Sequence, residues 1–189
     1  MSEGARPEDH FWVRPEMRGI FPKGGFRISK SLRKRLKKPV TLRVNEDFKG
    51  TMRRCAQGRE TWISDLIIDA FSELNLLGYA VSIESYDASN QRLGGLYGVT
   101  LGGAFFGESM YSAARDGSKI TLAYLLSALD RAGYHFVDCQ FWTAHLGSLG
   151  CIEVSAEDYD RLLADALETP CAFPTQSLEC TALSVSPET

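Results

Sequence analysis

The feature that most limits what this chain can fold into is the stretch from residue 80 to 133, where three strand-like runs succeed one another and a helical period then takes over. Ala80 to Tyr86 and Leu93 to Thr100 are joined by Asp87, Ala88, Ser89, Asn90 and Gln91, residues suited to a hairpin connection. Gly102 and Gly103 supply a second turn, so Ala104 to Met110 completes an antiparallel meander. Ser118 then opens a helix whose apolar positions Ile120, Ala123, Tyr124, Leu126 and Leu129 repeat at helical spacing as far as Gly133. Strands with helices laid on one or both sides make the chain α+β, with a mixed or antiparallel sheet at its centre.

The flanks extend this pattern. Residues Met1 to Gly25 hold much of the proline among glycine and polar residues, and read as an irregular arm. Ser29 to Lys38 is basic with sparse apolar positions, and Pro39 breaks it before a short strand, Val40 to Val44. Phe48, Met52 and Cys55 share a helical face; Ser64 caps a further helix striped by Ile67, Ile68, Phe71 and Leu74 and ended by Gly78. Beyond the central helix come a strand at His135 to Phe141, a short helix through His145 and Leu149, and a strand at Cys151 to Val154. A last helix follows, where Ser155 with Asp158 approximates a capping box. Glu168 to Thr189 has little pattern and is expected to be disordered. No internal repeat is present.

At 189 residues and 44% apolar content the chain can bury a real core in one domain, or one domain with a small appendage. A net charge of −3 excludes a generic polyanion binder, yet the charges are uneven. Arg27, Lys30, Arg33, Lys34, Arg35, Lys37 and Lys38 crowd together, with Arg53, Arg54 and Arg59 beyond, so the first third could hold phosphates. Five cysteines, an odd number at no metal-ligand spacing, read as reduced thiols of a cytosolic protein. No apolar run approaches the roughly 18 residues a membrane span needs, and the polar N-terminus lacks the apolar run of a secretion signal.

Several groups could carry chemistry. Gly94-Gly95-Leu96-Tyr97-Gly98-Val99 has the wrong spacing for a dinucleotide fingerprint and leads into a strand. Its glycines mark either a packing need or a ligand lying against backbone. In Phe105-Phe106-Gly107-Glu108-Ser109-Met110 a carboxylate interrupts an apolar strand; it either faces solvent or needs a donor and a raised pKa. Asp138-Cys139-Gln140 repeats the theme. Strand alternation places Asp138 and Gln140 on one face and Cys139 on the other, and if the polar pair faces a cleft, Cys139 faces the core. A thioester mechanism using Cys139 with His145 is the rival, and a strand cysteine is more often packing. Ser118 and Lys119 at a helix start are either an anion site or an ordinary cap. Phe11, Trp12, Trp62, Phe105 and Phe106 either stack a base or belong to the core. These arguments alone describe a polar pair in a strand-lined cleft and name no reaction.

Taken in order and spacing, Glu60-Thr61-Trp62-Ile63, Gly94 to Val99, Gly107-Glu108-Ser109-Met110-Tyr111-Ser112, Ser118-Lys119, Asp138-Cys139-Gln140 and His145-Leu146-Gly147-Ser148-Leu149-Gly150 resemble the leucyl/phenylalanyl-tRNA protein transferases. Phe11-Trp12 with Pro15 and Arg18-Gly19 resembles that family's tryptophan-rich N-terminal segment, so the likeness runs from about Phe11 to about Leu167. It implies a core like that of the GCN5-related acetyltransferases with a mixed sheet at residues 61–168, a small reduced N-terminal domain at 1–60 and a disordered tail at 169–189.

The implied reaction uses no cofactor and no metal. Leucine or phenylalanine passes from its aminoacyl-tRNA to an acceptor protein beginning with Arg or Lys, marking it for degradation by the N-degron pathway in the cytoplasm. The enzyme is expected to be a monomer without membrane contact. By similarity Asp138, Gln140 and Glu108 surround the reacting groups, with Asp138 polarising the Gln140 side chain. Leu96, Phe105 and Gly107 form the acyl pocket, Trp12 and Trp62 lie near the terminal adenosine, and Arg27, Lys30, Arg33, Lys34 and Arg35 meet tRNA phosphates. An acyl-CoA-dependent N-acyltransferase and a non-catalytic tRNA-binding relative are the alternatives. The first would need a pyrophosphate-binding glycine loop, which is not evident before Ser118.

Overall fold

The structure, a computed structural model, describes residues 2–3, 11–12, 14–58 and 61–179, and for residues 2, 3, 11, 12, 177 and 179 the backbone alone. Trp12 is therefore described without its side chain, and Arg59, Glu60 and Cys180 lie outside the described residues.

In chain order the elements are β1 (Ser2–Glu3), β2 (Phe11–Trp12), β3 (Met17–Pro22), α1 (Lys30–Leu36), β4 (Val40–Val44), α2 (Phe48–Ala56), α3 (Asp65–Leu76), β5 (Ala80–Asp87), β6 (Arg92–Leu101) and β7 (Ala104–Ser112). There follow α4 (Gly117–Ala132), β8 (Phe136–Gln140), α5 (Ala144–Ser148), β9 (Ile152–Ser155), α6 (Ala156–Leu167) and α7 (Thr175–Glu179). The short pair β1–β2 stands apart; the other strands form one sheet in the order β4-β5-β6-β7-β8-β3-β9. Every pairing in it is antiparallel except β7 with β8.

Local chemistry accounts for the meander. A side-chain oxygen of Asp87 accepts the backbone N–H groups of Ser89 and Gln91, each at 2.9 Å, and Asn90 adopts a left-handed φ of 58°, which folds β5 back onto β6. A parallel neighbour requires a long crossover, and α4 is that crossover between β7 and β8. It is buried along nearly its whole length, from Ile120 through Leu129, because α1 and α7 pack around it over β4–β7. The apolar residues divide by face. Phe21, Leu96, Phe105 and Val137 belong to the large cluster under α4, while their neighbours Ile20, Tyr97 and Phe136 belong to clusters under α2, α3 and α6. Ser64 and Ser155 cap α3 and α6 as the sequence predicts, each accepting a backbone N–H three residues on.

Three expectations need correction. The arm contains β3, which inserts between β8 and β9 and buries Ile20 and Phe21; the proline at each end, Pro15 and Pro22, hides a central strand from a pattern reading. Both β3 and β4 come from residues 1–60 and belong to the one main sheet, so a division at residue 60 does not divide the sheet. Residues 168–179 of the tail are ordered: α7 lies against β4 and α4 with Leu178 buried, and the Phe173 ring packs on Phe105. Its apolar residues are too few for a periodic signal, and the pocket that receives them is tertiary.

One irregularity positions the site. β7 and β8 pair only through Ala104–Phe136, Phe105–Val137 and Phe106–Asp138, after which both strands continue without pairing to each other. The sheet thus opens into a wedge between Gly107 and Ser112 on one side and Asp138 and Gln140 on the other.

Candidate active site

The wedge holds a cavity of about 630 Å³. Phe21, Leu96, Met110, Leu122, Val137 and Leu146 supply apolar wall; Trp62, Gly107, Glu108, Asp138, Cys139 and His145 also line it.

Two bulges aim its polar groups. In the β6–β7 ladder Tyr97 pairs with Ser109 but Gly98 with Gly107, leaving Glu108 as the extra residue. In the β3–β8 ladder Gly19 pairs with Gln140 but Ile20 with Asp138, leaving Cys139 as the extra residue. An extra residue bends its strand and redirects its neighbours. Gln140 takes a left-handed φ of 68°, an uncommon conformation for a residue with a side chain. Its backbone N–H donates to Asp138 Oδ1 at 2.6 Å, which offsets the strain.

Asp138 is fully buried and fully partnered. The Arg18 guanidinium donates to both its oxygens, from Nε at 3.2 and 3.0 Å and from Nη2 at 2.6 Å, and the Tyr159 hydroxyl donates to Oδ2 at 2.6 Å. Arg18 also lies over the Tyr159 ring, 5.0 Å from its centroid. Burial and the adjacent Asp138 charge push the Tyr159 phenol upward in pKa, so the hydroxyl stays a donor. Glu108 has no such clamp. Burial first, then the charge of Asp138, raises its pKa to about 7, against a smaller opposing effect of the Gln140 amide, whose Nε2 donates to Glu108 Oε2 at 3.2 Å.

The expected site residues divide accordingly. Leu96, Gly107, Trp62, Glu108 and Asp138 meet at the cavity, and Gln140 joins them through Glu108. Phe105 does not: it sits in the paired part of β7, fully buried, with Phe173 closing over its ring at 5.9 Å between centroids. Cys139 does not simply turn to the core; the bulge breaks the alternation and brings it into the cavity wall. As a nucleophile it is poorly prepared, because its thiol bonds to Cys151 and both that bond and burial push its pKa up. Asp138 bonds the backbone of Gln140, and it is Glu108 that engages the Gln140 side chain. Arg27, Lys30, Arg33 and Lys34 are exposed, whereas Arg35 is half-buried, donating to the Arg115 carbonyl and standing 4.0 Å from Asp116. Sequence reasoning missed the clamp. Arg18 stood in a motif, but Tyr159 is one polar position on an amphipathic helix and carries no local signal. Among the described residues no group of three or more His, Cys, Asp or Glu side chains is arranged to hold a metal ion.

A cavity with apolar side chains over part of its wall and a lining carboxyl bonded to an adjacent amide suits a transferase that seats an apolar group and receives a proton from the group that attacks it. The family model of leucyl/phenylalanyl-tRNA protein transferase matches residues 20–164. The leucyl/phenylalanyl-tRNA–protein transferase of a Ruegeria species is 49% identical over 179 residues, 94% of this chain and 85% of that one. That of Cereibacter sphaeroides is 48% identical over 168 residues, 88% and 78% of the two chains. Among solved structures, that of L-PGS from Bacillus licheniformis is similar with a TM-score of 0.49 at 16% identity, covering 70% of this chain and 48% of that one. The chain belongs to the leucyl/phenylalanyl-tRNA protein transferase family, and is thereby an enzyme, an aminoacyltransferase.

Proposed function

We propose that this enzyme passes leucine or phenylalanine from its tRNA ester to the N-terminus of a protein beginning with Arg or Lys, in the cytoplasm and as a monomer, marking that protein for degradation. The observation that carries the reading is the 3.2 Å contact of Gln140 with Glu108, which lines a cavity that also has an apolar wall. Leu96, Met110, Leu122 and Val137 offer a chamber for the leucyl or phenylalanyl side chain. Apolar walls discriminate by only about 1–3 kcal/mol per methylene, which suits acceptance of both. Trp62 stands in the same wall, and with Trp12 it is assigned to the terminal adenosine.

The donor is already an activated ester, so catalysis consists mainly of orienting the amine, and position alone supplies several kcal/mol of the barrier. With its Nε2 turned to Glu108, Gln140 presents its carbonyl to the incoming α-amine. The amine attacks the ester carbon, the C–O bond to the ribose breaks, and the proton lost by the nitrogen leaves with the ribose oxygen. Glu108, with a pKa of about 7, is matched to relay that proton from an amine whose own pKa is roughly 7.7–8.0. Its carboxylate also favours a cationic acceptor. Asp138, held by Arg18 and Tyr159, fixes the backbone of Gln140. A GCN5-related acetyltransferase-like core belongs to the same reading, supported by the meander, the crossover helix α4 and the wedge between parallel β7 and β8.

The test supplies radiolabelled Leu-tRNA or Phe-tRNA with peptides beginning Arg, Lys or Ala. Label is expected on the first two; equal labelling of the Ala peptide overturns the acceptor preference, and no labelled peptide at all overturns the assignment.

A further inference from the structure

Cys139 and Cys151 take no part in the proposed chemistry, yet their sulfurs stand 3.1 Å apart. They come from different elements, the bulge of β8 and the turn before β9, separated in the sheet by β3. Gly150, at a φ of 105°, delivers Cys151; a Cβ there would stand 2.0 Å from the Gly25 carbonyl oxygen, so the turn has little freedom to carry the thiol elsewhere. Cys151 is buried, while Cys139 is half-buried in the cavity wall, so a molecule as small as a peroxide reaches the pair through the cavity. A disulfide requires the sulfurs to close to about 2.05 Å, a movement of about 1 Å.

We propose that Cys139 and Cys151 form a peroxide-sensitive dithiol, whose oxidation to a disulfide shifts the strand end bearing Asp138 and Gln140 and slows acyl transfer. The effect on transfer rests on the function proposed above; the disulfide itself does not. The two sulfurs are joined by a 3.1 Å hydrogen bond, so when one thiol loses its proton the other donates to it. The thiolate sulfur attacks one peroxide oxygen and the O–O bond breaks, leaving a sulfenic acid and, with a proton, one water. The partner thiol then attacks the sulfenic sulfur, the S–O bond breaks, and the hydroxyl leaves with that thiol's proton as a second water. Two thiols give up two electrons and the peroxide takes them.

The strand transmits the change because Cys139 is the unpaired bulge residue between Asp138 and Gln140 and has no ladder partner to hold it. Drawing its sulfur toward Cys151 moves the cavity wall and strains the 2.6 Å bond from the Gln140 N–H to Asp138.

The experiment treats the reduced full chain with a small excess of hydrogen peroxide, then measures intact mass, maps the crosslink by peptide mass spectrometry, follows hydrogen exchange at the Gln140 amide and assays transfer. The expected result is loss of two hydrogens, a Cys139–Cys151 peptide, faster Gln140 exchange and about a tenfold fall in kcat, all reversed by dithiothreitol. Cys151→Ala, which lies outside the cavity wall, is expected to transfer normally and to ignore peroxide. Free thiols retained at Cys139 and Cys151, oxygen addition without the crosslink, a crosslink with unchanged exchange or turnover, or equal peroxide sensitivity in Cys151→Ala each overturn the proposal. If the reduced protein labels no peptide, the proposed function fails, and the crosslink and the Gln140 exchange still decide the dithiol.

Discussion

Glu108 and Asp138 share a cavity wall but not a set of partners, and their chemistry follows from the partners. Asp138 has a bidentate guanidinium, a phenol and a backbone N–H. Glu108 has one amide and a neighbouring negative charge. Its carboxyl holds a proton to about pH 7 in the fold but only to about pH 4.3 in an unfolded chain. The folded state therefore binds the extra proton between those values, and this residue's contribution to stability falls as pH rises through that window. Glu108→Gln is expected to raise the melting temperature above pH 7, by an amount corresponding to about 4 kcal/mol at most, and to lower kcat. A wild-type acid limb of kcat near pH 7 should vanish in the variant; an unchanged profile removes Glu108 from proton transfer. On the other carboxyl, Tyr159→Phe removes one donor and should cost about 1–2 kcal/mol. Arg18→Ala leaves a buried charge unpaired and should cost about 3–5 kcal/mol, with Lys a poor rescue because one ammonium cannot reproduce the fork. Urea denaturation of the three variants measures the order.

At the scale of elements the site is made by irregularity, two bulges and a wedge in an otherwise regular sheet. Gly98 faces the first bulge, where a Cβ would lie 2.3 Å from the Phe106 carbonyl oxygen and 2.6 Å from the Phe105 ring. Both neighbours are held, one by the ladder and one by the core, so Gly98→Ala is expected to displace β7 and with it Glu108. Loss of transfer with a native far-ultraviolet spectrum would be its signature. The C-terminal helix α7 belongs to the core through Leu178. Leu178→Ala should cost about 2–5 kcal/mol, as other buried leucines do, and a cost below 0.5 kcal/mol would show that α7 is dispensable. Legibility varied with locality. Ser64, Ser155 and Asp87 cap and turn their own segments, so the helices and the hairpin they bound could be read along the chain. β3 and α7 could not, since each is short and is stabilised by partners distant in sequence, β8 for β3 and β4 with α4 for α7.

Across the whole molecule charge is separated from chemistry. Among the described residues no helix is long and apolar enough to cross a membrane. Lys30, Arg33 and Lys34 project from α1, which is anchored by Leu32 and Leu36, so a basic face is held by two apolar side chains. The double reversal Arg33→Glu with Lys34→Glu is expected to weaken tRNA binding and to reduce the slope of log K against log salt by about 1.5, measured by filter binding over a salt series. An unchanged slope removes α1 from the tRNA contact. The central meander, the helices α2, α3, α4 and α6 and the basic stretch were legible in the chain, because helical period and caps are local properties, and spaced motifs singled out Glu108, Asp138, Gln140, Leu96 and Trp62. Which carboxyl is clamped and which is left to titrate was decided only by tertiary structure. Arg18, Glu108, Asp138 and Tyr159 meet because β3 inserts beside β8 while β7 parts from it, and a carboxyl's proton affinity is set by what stands around it in space.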